Sequence, residues 1–228
     1  MNIEVFPDDE STARAAAKFI AAEASAAVTA RGRFVMAVSG GHTPWIMLRA
    51  LADEELPWKR LEVVQVDERV APPGDPDRNL THLRETLLNH APIRADQIRA
   101  MPVESSNLEA SASQYAAALR DVAGSPPMLD LVHLGLGPDG HTASLVPGDP
   151  VLDISGSDVC VTGAYQGRRR MTLTYPIINR ARRILWLVTG KEKRDMLVRL
   201  RNADASIPAG RICQEHAVIF ADRAAAGV

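Results

Sequence analysis

Five short apolar runs, "RFVMAV" at 33–38, "LEVVQV" at 61–66, "LVHLGLG" at 131–137, "RILWLVTG" at 183–190 and "AVIFAD" at 217–222, recur along this chain with helix-forming stretches between them. Runs of this length without strict polar alternation read as strands buried on both faces, and the stretches between them carry helical spacing. That alternation points to an α/β class with a parallel or mostly parallel sheet and helices packed on it. No low-complexity linker interrupts it, so the 228 residues, 46% of them hydrophobic, read as a single domain over 1–228.

In chain order, Ile3, Val5 and Phe6 suggest an edge strand, and Asp8 or Asp9 can cap an Ala-rich helix running to about Ala30. "SGGHTP" follows the first buried run, with Pro44 placed as a first helical residue before Trp45, Ile46, Leu48 and Leu51. Such a loop presents unpaired amides at a positive helix end, the geometry of a phosphate cradle; a plain strand-to-helix turn is the other reading. His42 reads as a solvent-facing loop residue. The second run ends in Asp67, Glu68 and Arg69, then a Pro-rich loop and a helix through Leu80, Leu83, Leu87 and Leu88. Acids at a buried strand end are costly unless paired or used, and ligands bind at that edge of an open α/β sheet. Asp67 is therefore a candidate site residue, with an ion pair to Arg69 or capping by Asp77 and Asn79 as the alternatives. Leu108 to Val122 reads as an amphipathic helix, "DVCVTGA" and "MTLTY" as further strands, "PIINRA" as a short helix, and Gly190 as the opening of "KEKRDMLVRLRN".

The third run breaks at Gly135, Gly137, Pro138 and Gly140 and presents Asp139 and His141 on a turn. The three glycines spell G-x-G-x-x-G, but Pro147, Gly148 and Pro150 occupy the place of the long helix that a dinucleotide site requires. His141 directly follows Asp-Gly, and an imidazole there suits proton transfer near neutral pH; His133, inside the run, reads as buried. Ser144 lacks a G-x-S-x-G elbow, so a cap or loop hydrogen bond is its expected use.

The formal net charge of -2 gives no global attraction for nucleic acid or an anionic membrane, so an anionic ligand must be met by local cations. Arg170, before "MTLTYP", and Lys193, one turn after Gly190, are the candidates, with Arg168 and Arg169 beside the first. Cys160 and Cys213 fit no metal or redox spacing and read as isolated thiols. The N-terminal stretch has no continuous apolar region for export or a membrane span, which points to a cytoplasmic enzyme or binding domain.

"SGGHTP", "VDERVAPPGDPDRN", "LGLGPDGHTASLVPG", "RMTLTYPIIN" and the Gly-x-x-Lys of "TGKEK" together resemble the signatures of 6-phosphogluconolactonases, through nearly the whole chain. The resemblance implies the fold shared with glucosamine-6-phosphate deaminases and ribose-5-phosphate isomerases, a Rossmann-like, mostly parallel sheet sandwiched by helices. It further implies hydrolysis of 6-phospho-D-glucono-1,5-lactone in the oxidative pentose phosphate pathway, with no metal or organic cofactor and no obligate protein partner. It gives Ser39, Gly40, Gly41 and Thr43 to a phosphate loop, Arg170 and Lys193 to the same phosphate, and Asp67 and Arg69 to the sugar. His141 would act on water with Asp139 fixing its tautomer, and glycine amides such as that of Gly137, or Arg69, would meet the oxyanion.

The chain departs from that pattern at His42 and Arg78, where relatives often carry serine, and at "YQGRRR", where many carry a lysine and several prolines; either Arg168 or Arg169 takes over the contact of that lysine or the contact is absent. Deaminases of this fold carry a glutamate five residues after the histidine, and Val146 stands there instead. A non-catalytic sugar-phosphate sensor is the remaining alternative, without the basic recognition segment of a DNA-binding regulator.

Overall fold

A computed structural model describes residues 1–228. Its first half runs β1 (Asn2–Phe6), α1 (Asp9–Arg31), β2 (Phe34–Val38), α2 (His42–Leu51), β3 (Leu61–Gln65), β4 (Asp67–Arg69), α3 (Asn79–Leu83), β5 (Ile98–Arg99) and α4 (Leu108–Ala123). The second half runs β6 (Leu131–Gly135), β7 (Val159–Val161), β8 (Arg170–Leu173), α5 (Tyr175–Asn179), β9 (Ile184–Val188), α6 (Arg194–Arg201), β10 (Ala217–Asp222) and α7 (Arg223–Ala226). The apolar runs pair as a seven-stranded sheet of order β1-β10-β9-β6-β2-β3-β5, parallel throughout.

Successive side chains of these strands feed opposite faces. Phe34, Met36, Val38, Leu185, Leu187 and Phe220 enter a core against α1 and α2. Val35, Ala37, Val132, Leu134, Trp186 and Ile219 enter a second core that includes residues of α4 and α6. The N-terminus of α1 is held by Asp8, whose carboxylate accepts from the Ser11 amide at 2.7 Å, and Ala13, Ala16, Ala17 and Ala24 form its buried stripe. No helix is long and apolar enough to cross a membrane.

The chain leaves β2 toward β3 and β5 on one side, then returns to lay β6 on the other side of β2. The loops after β2 and β6 therefore diverge, which opens a crevice at their carboxyl ends. His133, fully buried on β6, ties the two strands there: its Nδ1 accepts from the Ser39 amide at 3.3 Å and its carbonyl from the Ser39 hydroxyl at 3.0 Å.

Several elements differ from the sequence reading. The "VDER" stretch does not simply terminate β3: after Val66 the chain begins a new strand, β4, in a separate antiparallel sheet of order β4-β8-β7. Hydrophobic pattern identifies strands and says nothing of their partners, so this layer escaped it. The expected helix through Leu88 passes from α3 into a wider π turn over Arg84–Leu88, and the two-residue β5 was missed. Pro44 is the third, not the first, residue of α2. Gly190 opens a short 3₁₀ turn, Lys191–Lys193, so Lys193 precedes α6 instead of lying on it.

Glu68 anchors the small sheet. Its fully buried carboxylate accepts from the amides of Arg69, Asn79 and Leu80, each at 2.8 Å, and from Gln65 Nε2 at 2.9 Å, with Arg78 Nε 3.6 Å away. It thereby caps α3 and fixes β4 beside it.

Replacing Glu68 by alanine leaves four donors without their acceptor and removes the buried charge facing Arg78, which keeps only Glu104, and a loss of about 3–5 kcal/mol in urea unfolding is expected. A second expectation concerns acid. Burial pushes the His133 imidazole down to about 3, so as pH falls protons bind the unfolded chain first. Stability is then full above about pH 6.5 and declines by roughly 1 kcal/mol per pH unit toward 3. Urea midpoints between pH 6.5 and 5 should fall more steeply for the parent than for His133→Gln; equal slopes would remove His133 as the cause.

Candidate active site

The carboxyl ends of the parallel strands share one edge, and a cleft of about 560 Å³ opens there, lined by the loops after β2, β6 and β9 and by β4 and β8. Ser39, Gly40, Gly41 and Thr43 form one wall. No side chain caps α2, so the amides of its first turn are open to a ligand. The Thr43 and Thr189 hydroxyls lie 2.6 Å apart and join this loop to the end of β9. His42 is exposed, its imidazole 3.4 Å from Asp9.

Lys193 reaches the cleft from the turn after β9. Burial lowers its proton affinity, with the charges of Glu192 and Asp139 acting the other way, and no ion pair neutralises it.

The small antiparallel sheet supplies the opposite wall. Asp67 is buried and held by neutral partners: Ser144 Oγ donates to Oδ2 at 2.6 Å and Asn79 Nδ2 to Oδ1 at 3.2 Å. The alternative of an ion pair with Arg69 is not what forms, because Arg69 Nη1 donates to the Asp77 carbonyl at 3.0 Å and Asn79 Oδ1 at 2.6 Å. Arg69 and Arg170 stand directly opposite each other in the β4–β8 register, and the Nε of each is buried without a partner. Like charges in that relation repel, and unused guanidinium donors mark a place for an anion. Burial and the neighbouring Arg69 charge both lower the proton affinity of Arg170.

Asp139 and His141 face the same cleft from the turn after β6, His141 Nδ1 lying 2.5 Å from Asp139 Oδ1. The second oxygen, Oδ2, accepts from the Tyr165 hydroxyl at 3.0 Å. Burial raises the Asp139 carboxyl, but the His141 amide, the imidazole and Tyr165 together bring it below the ordinary carboxylate range. With Nδ1 taken by Asp139, Nε2 is the nitrogen left for chemistry. The pair rests on the bare Cα of Gly137, where a Cβ would stand 2.1 Å from His141 Nδ1 and 2.7 Å from Asp139 Oδ1. Glycine is required there by close approach.

The cleft thus brings together every residue singled out from sequence: Ser39, Gly40, Gly41, Thr43, Asp67, Arg69, Gly137, His141, Arg170 and Lys193 line it, and Asp139 holds His141 from behind. Arg168 and Arg169 do not join them. Arg168 bonds Asp77 and Asp75, and Arg169 bonds Glu109, so neither is free to take over the lysine contact weighed from sequence. Sequence reasoning missed Tyr165 and the Ser144 bond to Asp67; of the partners it weighed for Asp67, Asn79 is the one that bonds it. No cluster of three or more His, Cys, Asp or Glu residues could hold a metal ion.

Residues 7–220 match the family model described as glucosamine-6-phosphate isomerases/6-phosphogluconolactonase. A 6-phosphogluconolactonase of a Nostoc species is 36% identical over 202 residues, covering 87% of this chain and 84% of the relative. A solved 6-phosphogluconolactonase from Trypanosoma cruzi superposes with a TM-score of 0.87 at 26% identity, covering 99% of this chain and 96% of that one. A monomeric glucosamine-6-phosphate deaminase shares the fold at a TM-score of 0.85 and 19% identity, covering 100% of this chain and 99% of that one. By sequence over nearly its whole length, the chain belongs to the glucosamine-6-phosphate isomerase/6-phosphogluconolactonase family.

Proposed function

We propose that this chain hydrolyses 6-phospho-D-glucono-1,5-lactone to 6-phospho-D-gluconate, with His141 as general base. The observation that carries the reading is an Asp139–His141 pair whose open Nε2 faces the same cleft as two cations without acidic partners, Arg170 and Lys193. The phosphate binds between those cations and the amides of the Ser39–Thr43 loop. Asp67 and Arg69, which line the cleft beside the base, contact the sugar.

Chemistry then needs one base. His141 Nε2 takes a proton from water as the water oxygen attacks the lactone C1, and Asp139 stabilises the imidazolium. The oxyanion is met by the glycine amides of the β6 turn or by Arg69. When the C1–O5 bond breaks, the imidazolium returns the proton to O5, so the base is regenerated.

A deaminase reading shares the fold, but the position five residues after His141 is Val146, buried and without a proton to move. Release of ammonia from glucosamine 6-phosphate is therefore not expected.

With freshly generated lactone, His141→Ala should lower kcat by roughly 10²-fold or more while still binding 6-phosphogluconate; parental turnover in the variant would remove His141 from the mechanism. Gly137→Ala tests the geometry separately. Its methyl must displace the imidazole, and at least about a tenfold drop in kcat is expected with the loop and cations untouched. A fully active Gly137→Ala would show that the Asp139–His141 arrangement is not the working one.

A further inference from the structure

Tyr165 belongs neither to the phosphate loop nor to the strand-end acids, yet it touches three members of the site. Its hydroxyl donates to Asp139 Oδ2 at 3.0 Å. Its ring meets that of His141 nearly edge-on, at 5.4 Å and 64°, and the Arg170 guanidinium carbon lies 5.0 Å from its centre.

The backbone holds it there firmly. Tyr165 and Arg168 exchange backbone hydrogen bonds at 2.9 and 3.3 Å around Gln166 and Gly167, whose φ values are 52° and 79°. Two central residues of positive φ make the turn that suits a twisted hairpin. Arg168 pins the turn to the loop after β4 through Asp77 Oδ2 at 2.9 Å and Asp75 Oδ2 at 3.2 Å. Gln166 Oε1 accepts from Arg170 Nη2 at 3.3 Å, so the same turn holds that guanidinium twice.

We propose that Tyr165 is a positioning residue that locks the Asp139 carboxylate behind His141 and supports Arg170 on its ring, aligning the phosphate clamp with the base. The inference rests on the lactonase reading given above. The carboxylate torsion of an aspartate is soft, and Oδ2 has no other hydrogen-bond partner. Without the phenol, Asp139 keeps only its Oδ1 contacts with the His141 amide and Nδ1, and Oδ2 is left without a partner to resist the charge of Lys193. Around Arg170, the charged groups that act on it are Arg69, Asp67 and Asp77 besides Tyr165 itself. Among the charged and titratable groups around the site, the Tyr165 side chain alone contacts both the base pair and the phosphate cation.

Two substitutions separate its two contacts. Tyr165→Phe keeps the ring under Arg170, so KM for the phosphorylated lactone should stay within about twofold while kcat falls about three- to tenfold. Loss of one donor leaves Asp139 more basic, so the acid limb of the kcat profile should move toward alkaline pH. Tyr165→Leu should add a several-fold rise in KM as Arg170 loses its platform. Nitrogen-15 NMR of His141 should show an altered tautomer balance or titration in Tyr165→Phe. The inference is overturned if Tyr165→Phe keeps the parental kcat, pH limb and His141 spectrum, or if only its melting temperature changes. Absence of lactone hydrolysis in the parent would strike the lactonase reading instead, and the His141 spectra would still decide the role of Tyr165.

Discussion

Parallel pairing is the constraint from which the rest of this molecule follows. Every crossover between parallel strands must travel back over one face of the sheet, so both faces are covered and all carboxyl ends emerge at one edge. The return of the chain from β5 to β6 splits the loops at that edge, and the His133–Ser39 bonds keep the split from widening. Four glycines and prolines after β6 then turn the strand end into a surface instead of a helix. The Asp139–His141 pair and the Ser39–Thr43 loop are neighbours here because β2 and β6 are neighbours.

The small antiparallel sheet completes what the parallel sheet begins. Without it the edge would offer amides, an imidazole and a single lysine; with it, two arginines and a buried aspartate face them across the cleft. Such a cluster is costly, and the cost is met by Glu68, Asn79 and Ser144, which satisfy the backbone and carboxylate but leave the guanidinium Nε atoms unused. Two guanidinium groups of like charge thus face each other across β4 and β8 with donors to spare.

Much of this was readable from residue order. The buried runs named the strands of the large sheet, Asp8 named the start of α1, and the glycine-broken end of β6 named Asp139 and His141. The missing elements share one cause. The β4–β8 pairing joins residues about a hundred positions apart, and no local pattern encodes which strand will lie beside which. Arg168, Arg169 and Arg170 are the same residue type in succession, yet two pair with acids and one is buried facing the cleft. Sequence favoured Arg170 of the three but did not name the partners each would meet, because side chains alternate along a strand while their surroundings come from elsewhere in the chain.

The sequence by itself determined the class of fold, the edge where chemistry gathers and the histidine most suited to it, because periodicity, glycine breaks and residue chemistry are local properties. Tertiary structure alone decided that Arg170 is the buried arginine of its run, that Asp67 is held by Ser144 and Asn79 and not by Arg69, and that Tyr165 stands behind Asp139. Each of those is a contact between distant segments, fixed by strand register and burial, and neither exists until the chain has closed on itself.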